Sequence, residues 1–457
     1  MPKITNTATL LDHGDPLRAA ALDIAEHALA AADPYDATRD AVVISDSTLC
    51  IKDKEYVLDS SRRIFVFGTG KATFPIAKAL DEILGDHIYK GLVVCKTGQI
   101  GQLRHIDLHL AAHPIPDVHS LAAGVTGKAL LSEVSSSDIV ITCVTGGSSA
   151  LFVAPVDGVS LHDKAEVNHI LLTCGADIRE INAVRKSIST VKGGRLIKDL
   201  PAGATLINLT VSDVTGDPLE FITDLTVPDT STIDDARNTL DKYGLWGRLS
   251  PSICTYLARN SSPPESMRET DLAHIHRQDV MLVAGDAACT GAAEHAKTLG
   301  YKAMILSSQF EGESRELART FAAIAREVKT YARPLPPPCV LIGGGETTVC
   351  IHPEDTPGMG GPNQEFALAI ASELSGMEGV VALGLDTDGT DGPTDAAGGL
   401  VDGRTANTAS SGALNIDTSL NNHDAYTILT QLDDIVLTGN TGTNVNDLKL
   451  LLIGSEN

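Results

Sequence analysis

The chain has 457 residues, a length that predicts two domains. Of these residues 43% are hydrophobic and 21% charged, a composition typical of a soluble globular protein. Its 35 Lys and Arg stand against 59 Asp and Glu, which gives a formal net charge of −24. Such a surface repels nucleic-acid phosphates and anionic membranes, so we expect neither as a partner. A small anionic substrate would need a local cluster of basic residues and backbone donors.

The N-terminus lacks the apolar core of a secretory signal, and no uninterrupted apolar run approaches transmembrane length. The eight cysteines are scattered without a C-x-x-C pair, which favours free buried thiols over a zinc site or a disulfide framework. Together these features predict a cytoplasmic protein.

Strand-like and helix-like segments alternate almost throughout, which predicts a doubly wound, largely parallel α/β sheet. The predicted strands are 63–67, 91–95, 138–144, 205–211, 281–284, 303–306, 339–342, 380–383 and 448–453. The predicted helices are 72–84, 121–134, 287–299, 313–331, 365–374 and a mostly helical stretch over 161–200 that is broken at Gly175. Residues 260–264 read as an exposed loop. The proline run 334–338 stops a helix and stiffens a connection, so it predicts a boundary between a Rossmann-like domain (1–333) and a C-terminal α/β domain (339–457).

The segment Gly68-Thr69-Gly70-Lys71-Ala72 follows a predicted strand and opens a helix, where backbone N–H groups favour an anion. It is not a dinucleotide fingerprint, because Thr73 stands at the third glycine position. It is not a Walker A loop either, since Phe65 and Ala72 replace its first glycine and its Ser/Thr. What remains is Lys71 at the mouth of an anion-binding turn; the alternative is a solvated lysine.

A second loop, Thr145-Gly146-Gly147-Ser148-Ser149-Ala150, repeats this arrangement after the next predicted strand. Its small residues let a ligand approach the backbone, and its hydroxyls add donors for phosphate or carboxylate oxygens. The alternative is a loop that needs glycines only to turn. Because the loop lies at the carboxyl end of a presumed parallel strand, we favour a ligand.

Four basic residues are concentrated in residues 182–195 of this acidic chain. On a helix, Arg185, Ser189 and Lys192 would share one face through their i, i+4 and i+3 spacing. Such a face is either solvated or aimed at a substrate carboxylate or phosphate.

Residues 384–392 place Asp386, Asp388, Asp391 and three glycines directly after an apolar strand. Crowded carboxylates repel one another, and a cation, backbone N–H groups or a substrate can offset that repulsion. The alternative is an acidic turn. The loop fails the EF-hand pattern, because its third carboxylate falls at position 6 and no Glu stands at position 12.

Further polar loops close or precede predicted strands and helices. They contain Asp213 in 212–217, Glu346 in 343–348, Asn363 as a candidate helix cap in 360–365, and Thr441 in 438–444. Glycine-rich polar loops on strand ends, combined with acidic and basic residues, describe a phosphoryl-transfer cleft.

In this order, the motifs resemble those of the class II glycerate kinases, the family whose C-terminal half is called the MOFRL domain. The resemblance spans nearly the whole chain, and its matching blocks are 68–72, 113–117, 145–151, 175–196, 212–217, 344–349, 386–392 and 441–447. It implies ATP-dependent phosphorylation of D-glycerate, usually at the 2-hydroxyl, with Mg²⁺ and with the site in the cleft between two α/β domains. It leaves open whether the protein forms a homo-oligomer.

The resemblance also implies roles for the candidate residues. Lys71 would stabilise charge on the transferred phosphoryl group, and Arg185 and Lys192 would hold a substrate carboxylate or phosphate. Asp213 would position the attacking hydroxyl or help hold Mg²⁺, with Asp386, Asp388 and Asp391 as metal ligands. Substrate or nucleotide contacts are expected from Gly70, Gly146, Gly147, Ser148, Ser149, Glu346, Asn363 and Thr441.

Three positions depart from the family pattern. Pro362 replaces a basic residue and cannot donate a hydrogen bond, residues 223–226 replace a Ser-Gly-Pro-Thr segment, and Asn440 replaces a proline. The first two departures leave another short sugar acid open as the acceptor. A hydroxypyruvate reductase is a competing hypothesis, against which the failed dinucleotide fingerprint argues, and a binding protein that has lost catalysis is a third.

Overall fold

The structure is a computed structural model that describes residues 2–12, 14–59, 61–259, 263–351 and 356–455, with the side chain of Leu172 excepted. Internal contacts divide the chain into two compact units. One, here called the mixed-sheet unit, comprises Met1–Asp33, Ser212–Asp217 and Val283–Asn457. The other, the parallel-sheet unit, comprises Pro34–Val211 and Pro218–Leu282. Within the described ranges, no helix is long and apolar enough to cross a membrane.

The strands found in the described ranges are, in chain order, β1 (Val42–Ser45), β2 (Thr48–Ile51), β3 (Lys54–Val57), β4 (Ile64–Thr69), β5 (Ile88–Lys96), β6 (Asp107–Ala111), β7 (Ile139–Val144), β8 (Thr205–Val211), β9 (His276–Val283), β10 (Lys302–Glu313), β11 (Cys339–Thr348), β12 (Val380–Asp386), β13 (Gly398–Asp402), β14 (Ile435–Val436) and β15 (Asp447–Ile453).

The α-helices of the same ranges are α1 (Thr7–Leu11), α2 (Pro16–Ala31), α3 (Pro34–Ala41), α4 (Thr73–Leu84), α5 (Val118–Ser132), α6 (Ser148–Leu151), α7 (Leu161–Thr173), α8 (Ile178–Ser187), α9 (Leu219–Ile222), α10 (Ile233–Lys242), α11 (Pro251–Leu257), α12 (Ala287–Thr298), α13 (Ser314–Tyr331), α14 (Pro362–Glu373), α15 (Thr405–Ser411), α16 (Ile416–Asn421) and α17 (Ala425–Gln431).

The parallel-sheet unit contains a doubly wound sheet with the strand order β6-β5-β4-β7-β8-β9. Every neighbouring pair from β6 to β8 is parallel. Strands β4, β7 and β8 are buried along their whole length, which is why each is predominantly apolar in the sequence. The strand order reverses between β4 and β7, the point at which doubly wound sheets bind ligands. This confirms the predicted Rossmann-like sheet.

The mixed-sheet unit has a different topology, with the strand order β10-β11-β15-β12-β13-β14. Only β10 and β11 are parallel, and the other pairs are antiparallel because β15 returns between β11 and β12. Helices α13 and α14 contribute Phe321 and Phe366 to the hydrophobic core beside this sheet. The C-terminal part is thus α/β as predicted, but its sheet is not of the largely parallel kind.

The predicted boundary at the proline run differs from the division that the contacts produce. Strand β10 lies before that run and β11 directly after it, yet the two strands pair with each other, with Lys302 opposite Cys339. Residues 334–338 are therefore a connection inside the mixed-sheet unit. The mixed-sheet unit instead consists of three separate segments of the chain. Pairing between distant parts of the chain decides which residues pack together.

Two further elements differ from the sequence-based expectation. The helix predicted to continue to residue 200 ends at Ser187, the last residue of α8. The glycine-rich segment 343–348, expected as a loop, is part of strand β11. Glycine suits this strand because neighbouring side chains leave no room for a Cβ. A Cβ on Gly343 would lie 2.8 Å from the ring of Phe321. The predicted loop over 260–264 falls partly on residues 260–262, which lie outside the described ranges.

Candidate active site

The two predicted anion-binding loops of the parallel-sheet unit follow β4 and β7 and interlock. The N–H of Lys71 donates to the carbonyl of Gly146 at 2.8 Å, and the N–H of Ala72 donates to Thr145 Oγ1 at 3.2 Å. A Cβ on Gly70, whose φ is +140°, would lie 2.1 Å from Thr145 Oγ1, so only glycine fits there. The strand-order reversal therefore brings Gly70, Lys71 and Gly146 together.

The stem of Lys71 and the ring of His113 both lie against Gly147. A Cβ on Gly147 would stand 3.1 Å from Lys71 Cγ and 3.3 Å from His113 Nε2. Ser148, buried beside this contact, begins the short helix α6. Glycine at position 147 thus leaves room for the lysine and histidine side chains beside the loop.

A cluster of basic residues lies next to the second loop. Lys192 Nζ donates to Ser149 Oγ and to Asp224 Oδ2, both at 2.7 Å. Arg185 Nε donates to Asn168 Oδ1 at 3.0 Å. Asp224 belongs to one of the segments that depart from the family pattern. Burial lowers the pKa of Lys192 and of Arg185, and the neighbouring Asp224 carboxylate partly offsets this.

The prediction that Arg185, Ser189 and Lys192 share one helical face is wrong, because α8 ends at Ser187. The chain then forms an isolated bridge between Ser189 and Pro155, and the Ser189 hydroxyl accepts from the N–H of Lys192 at 3.3 Å. A bridge and a turn, rather than helix periodicity, therefore place Lys192 in the basic cluster.

Lys164 is a further member of the basic cluster that was not predicted. Its side chain, on α7, is 1% exposed, and its Nζ has no hydrogen-bond partner among the described residues. Burial, followed by the charges of Lys192 and Arg185, lowers the pKa of Lys164 to about 7, although Asp224 acts in the opposite direction. The sequence carries no signal for this placement, which depends on the packing of α7 against the basic cluster.

The mixed-sheet unit gathers the predicted carboxylates. Asp386 ends β12 and lies directly opposite Asp447 in the antiparallel pairing with β15. Burial, together with the neighbouring carboxylates of Asp388 and Asp447, raises the pKa of Asp386 well above its usual value. Asp447 was not predicted as a site residue. The register of β12 against β15 places it there, and spacing along the chain carries no such signal.

Asp391, predicted as a metal ligand, caps helix α14. Its Oδ1 accepts from the N–H of Asn363 at 3.0 Å, and its Oδ2 accepts from the N–H of Gln364 at 2.8 Å. The carboxylate is fully buried, and burial raises its pKa to about 6 despite these bonds. Asn363 was predicted as the cap, but the helix begins at Pro362 with Gly361 before it, so that prediction is wrong.

Asn363 instead connects the helix start to the strand β15. Its Nδ2 donates to Asp447 Oδ1 at 2.7 Å, and its Oδ1 accepts from the buried Lys449 Nζ. Lys449 Nζ also donates to Asp447 Oδ2 at 3.0 Å, and the hydroxyl of Thr347 donates to the same oxygen at 3.2 Å. An amide, an ammonium group and a hydroxyl therefore fix the Asp447 carboxylate in place beside Asp386.

The remaining predicted residues lie in the same unit. Asp213 Oδ2 accepts from Asn444 Nδ2 at 3.0 Å, and the Thr441 hydroxyl donates to the carbonyl of Thr387 at 2.5 Å. Glu346 is exposed on β11. The loop 438–444 thus contacts both Asp213 and the acidic loop.

Each unit therefore offers one kind of chemistry. The carboxylates of Asp386, Asp388 and Asp447 repel one another, and oxygen ligands of this kind suit a hard divalent cation such as Mg²⁺. The basic cluster and the interlocked loops of the parallel-sheet unit suit an anion with phosphate or carboxylate oxygens.

Comparisons with known proteins show what the chain is similar to. Residues 20–258 match the model of a domain of unknown function, DUF4147, and residues 339–447 match that of the MOFRL family. The chain is 38% identical to a glycerate 2-kinase of Pyrococcus horikoshii, over 96% of this chain and 98% of the relative. It is 39% identical to a putative hydroxypyruvate reductase of Agrobacterium vitis, over 86% of this chain and 100% of the relative. A crystal structure of glycerate kinase from Thermotoga maritima superposes with a TM-score of 0.80 at 36% identity, covering 96% of this chain and 99% of that one.

Proposed function

The chain belongs to the glycerate 2-kinase family with a C-terminal MOFRL domain, and we propose that it transfers the terminal phosphoryl group of ATP to the 2-hydroxyl of D-glycerate. It is a phosphotransferase with an alcohol group as acceptor. The observation that supports this function is that the chain has two kinds of cluster. One is a group of mutually repelling carboxylates suited to Mg²⁺, and the other is a group of cations suited to anionic substrates. Phosphoryl transfer requires both, because its catalysis consists mainly of positioning and charge neutralisation.

We assign the metal to Asp386 and Asp388, with Asp213 as a further acidic group. Burial and mutual repulsion raise the pKa of Asp386, so these oxygens gain most from a divalent cation. Bound Mg²⁺ would neutralise charge on phosphate oxygens. Asp391 is not included, because both its oxygens already accept from the start of α14.

Lys71 and the interlocked loops bind phosphate oxygens in this proposal. The loops after β4 and β7 meet where the strand order reverses, and the Lys71 side chain passes over Gly147. A lysine held there stabilises the charge that develops on the transferred group. Arg185 and Lys192 bind the acceptor, and Glu346, Asn363 and Thr441 position the loops or contact the nucleotide.

The hydroxypyruvate reductase hypothesis is not favoured. A reductase needs a nicotinamide site, and the turn after β4 lacks the third glycine of the dinucleotide fingerprint, with Thr73 in its place.

A coupled assay of ADP release tests the function. Purified protein with MgATP should release ADP with D-glycerate and not with glycerol, which lacks the carboxylate, and phosphorus NMR of the product should show a phosphate on the 2-oxygen. Oxidation of NADH with hydroxypyruvate, in the absence of ADP release, would contradict the proposal. Release of ADP only with a different hydroxy-acid would correct the acceptor and point to Pro362, which begins α14 and has no N–H to donate.

A further inference from the structure

The basic cluster of the parallel-sheet unit carries more positive charge than the protein neutralises. Lys164 on α7, Arg185 on α8 and Lys192 on the segment after α8 surround a single carboxylate, that of Asp224 after α9. Asp224 is hydrogen-bonded to Lys192. Arg185 is bonded to the neutral amide of Asn168, and Lys164 has no partner among the residues described.

An unpartnered ammonium group in this position is costly to the folded protein. Lys164 is 1% exposed, so its Nζ has exchanged water for an environment without a hydrogen-bond acceptor. Two other cations face it, which adds like-charge repulsion. A structural lysine in a core normally pairs with a carboxylate, as Lys186 pairs with Asp229 at 2.7 Å in the same unit. Lys164 lacks such a pair, and an anionic ligand would supply it.

We propose that Lys164, Arg185 and Lys192 form a binding site for the carboxylate of the acceptor hydroxy-acid, in which Lys164 is a direct partner of that carboxylate. The inference rests on the proposed function for the identity of the ligand and adds a residue that neither the sequence patterns nor the comparisons assign.

The charge of the cluster favours a carboxylate over a phosphate group here. Asp224 already places one negative charge in the cluster, which disfavours a multiply charged phosphate more than a singly charged carboxylate. The guanidinium of Arg185 provides a planar fork of donors that matches a carboxylate, and its Nε alone has a partner within the described chain. The proposed function assigns phosphate to Lys71 and the loops after β4 and β7, which leaves this cluster for the carboxylate.

We expect that binding of the carboxylate at this site is accompanied by uptake of a proton by Lys164. Since the pKa of Lys164 is about 7 in the free protein, the ammonium form is a minority above pH 7, and the carboxylate must restore it. The dissociation constant should therefore rise by up to about tenfold per pH unit above pH 7.

Titration calorimetry with sodium D-glycerate, without nucleotide, tests the site in wild type, Lys164→Met and the control Lys198→Met, which alters an exposed lysine of the same unit. We expect Lys164→Met to weaken binding at pH 7 by roughly tenfold to a hundredfold, the loss expected for one charge-assisted hydrogen bond. Its dissociation constant should be independent of pH from 7 to 9, whereas wild type and the control should share the pH-dependent weakening. In turnover, the KM for glycerate should rise while kcat changes little, and the KM for MgATP should stay the same.

Two results would overturn the inference: equal affinity of wild type and Lys164→Met for glycerate, or an increase in the KM for MgATP alone, which would assign Lys164 to phosphate. Failure of the proposed function looks different, because wild type would then not phosphorylate glycerate at all. If glycerate in that case still bound more weakly to Lys164→Met than to wild type, the carboxylate site would stand and only the proposed reaction would be wrong. The variant Lys164→Gln, which retains a donor without charge, should fall between wild type and Lys164→Met.

Discussion

Replacing Lys164 by methionine should stabilise the ligand-free protein, and the gain should shrink as the pH rises. Methionine has a similar length, needs no hydrogen bond and carries no charge, so it suits a side chain that is 1% exposed. The lysine has a pKa of about 7 in the folded protein, against an ordinary value of 10.5. Between these values the unfolded chain binds a proton that the folded protein does not.

The magnitude follows from this difference in proton binding. Because the unfolded chain binds more protons, the stability of wild type rises with pH over this window. Lys164 alone costs the folded protein about 4 kcal/mol at pH 7 and about 2 kcal/mol at pH 9. Methionine removes this cost at every pH, so the advantage of the variant should narrow by about 2 kcal/mol between pH 7 and pH 9.

Urea unfolding followed by tryptophan fluorescence measures the effect. Trp246 is the single tryptophan of the chain and packs against the hydrophobic cluster that contains Val167 and Leu171 of α7. It therefore reports on the surroundings of the helix that carries Lys164. Other titrating groups are common to both proteins and cancel in the difference between their free energies of unfolding. A difference that stays constant from pH 7 to pH 9, or a variant less stable than wild type at pH 7, would refute the reasoning.

Three further predictions concern the predicted site residues. Lys71→Ala should lower kcat by roughly 100-fold to 1,000-fold with an unchanged urea midpoint, and near-normal turnover would contradict its role. Asp386→Asn should unfold at a higher temperature than wild type without Mg²⁺, because burial and two neighbouring carboxylates raise the pKa of Asp386; added Mg²⁺ should raise the melting temperature of wild type only. Asp391→Ala should destabilise the protein by about 1–3 kcal/mol through loss of the α14 cap, with little change in the Mg²⁺ concentration that half-saturates turnover. A large rise in that concentration would restore Asp391 as a metal ligand.

The strands that are buried on both faces were predictable because burial on both faces gives them a mostly apolar composition. Strands β4, β7 and β8 are predominantly apolar segments followed by glycine-rich or polar loops, and the structure places them at the centre of the doubly wound sheet. Lys71 and the loop over 145–149 were predicted as site candidates for the same reason, since each follows such a strand. The local sequence pattern was sufficient to predict these strands because they are buried along their whole length.

Local pattern misled wherever a distant segment supplied the partner. Glycines at 343–345 suggested a loop, but Phe310 and Phe321 crowd a strand there. Asn363 looked like a helix cap, but Asp391 fills that role from another loop. Both errors arose because the competing contact joins residues that are far apart in the chain.

The sequence by itself determined the family and the doubly wound sheet, and it predicted most of the side chains to which we assign chemistry, because apolar runs and motif spacing are properties of neighbouring residues. Only the tertiary structure decided which carboxylates face one another, since the register of β12 against β15 sets Asp386 opposite Asp447. It also decided that Lys164 is buried beside Arg185 and Lys192 without a carboxylate of its own among the described residues. Burial and like-charge proximity shift a pKa, and both depend on packing between distant segments rather than on the order of residues.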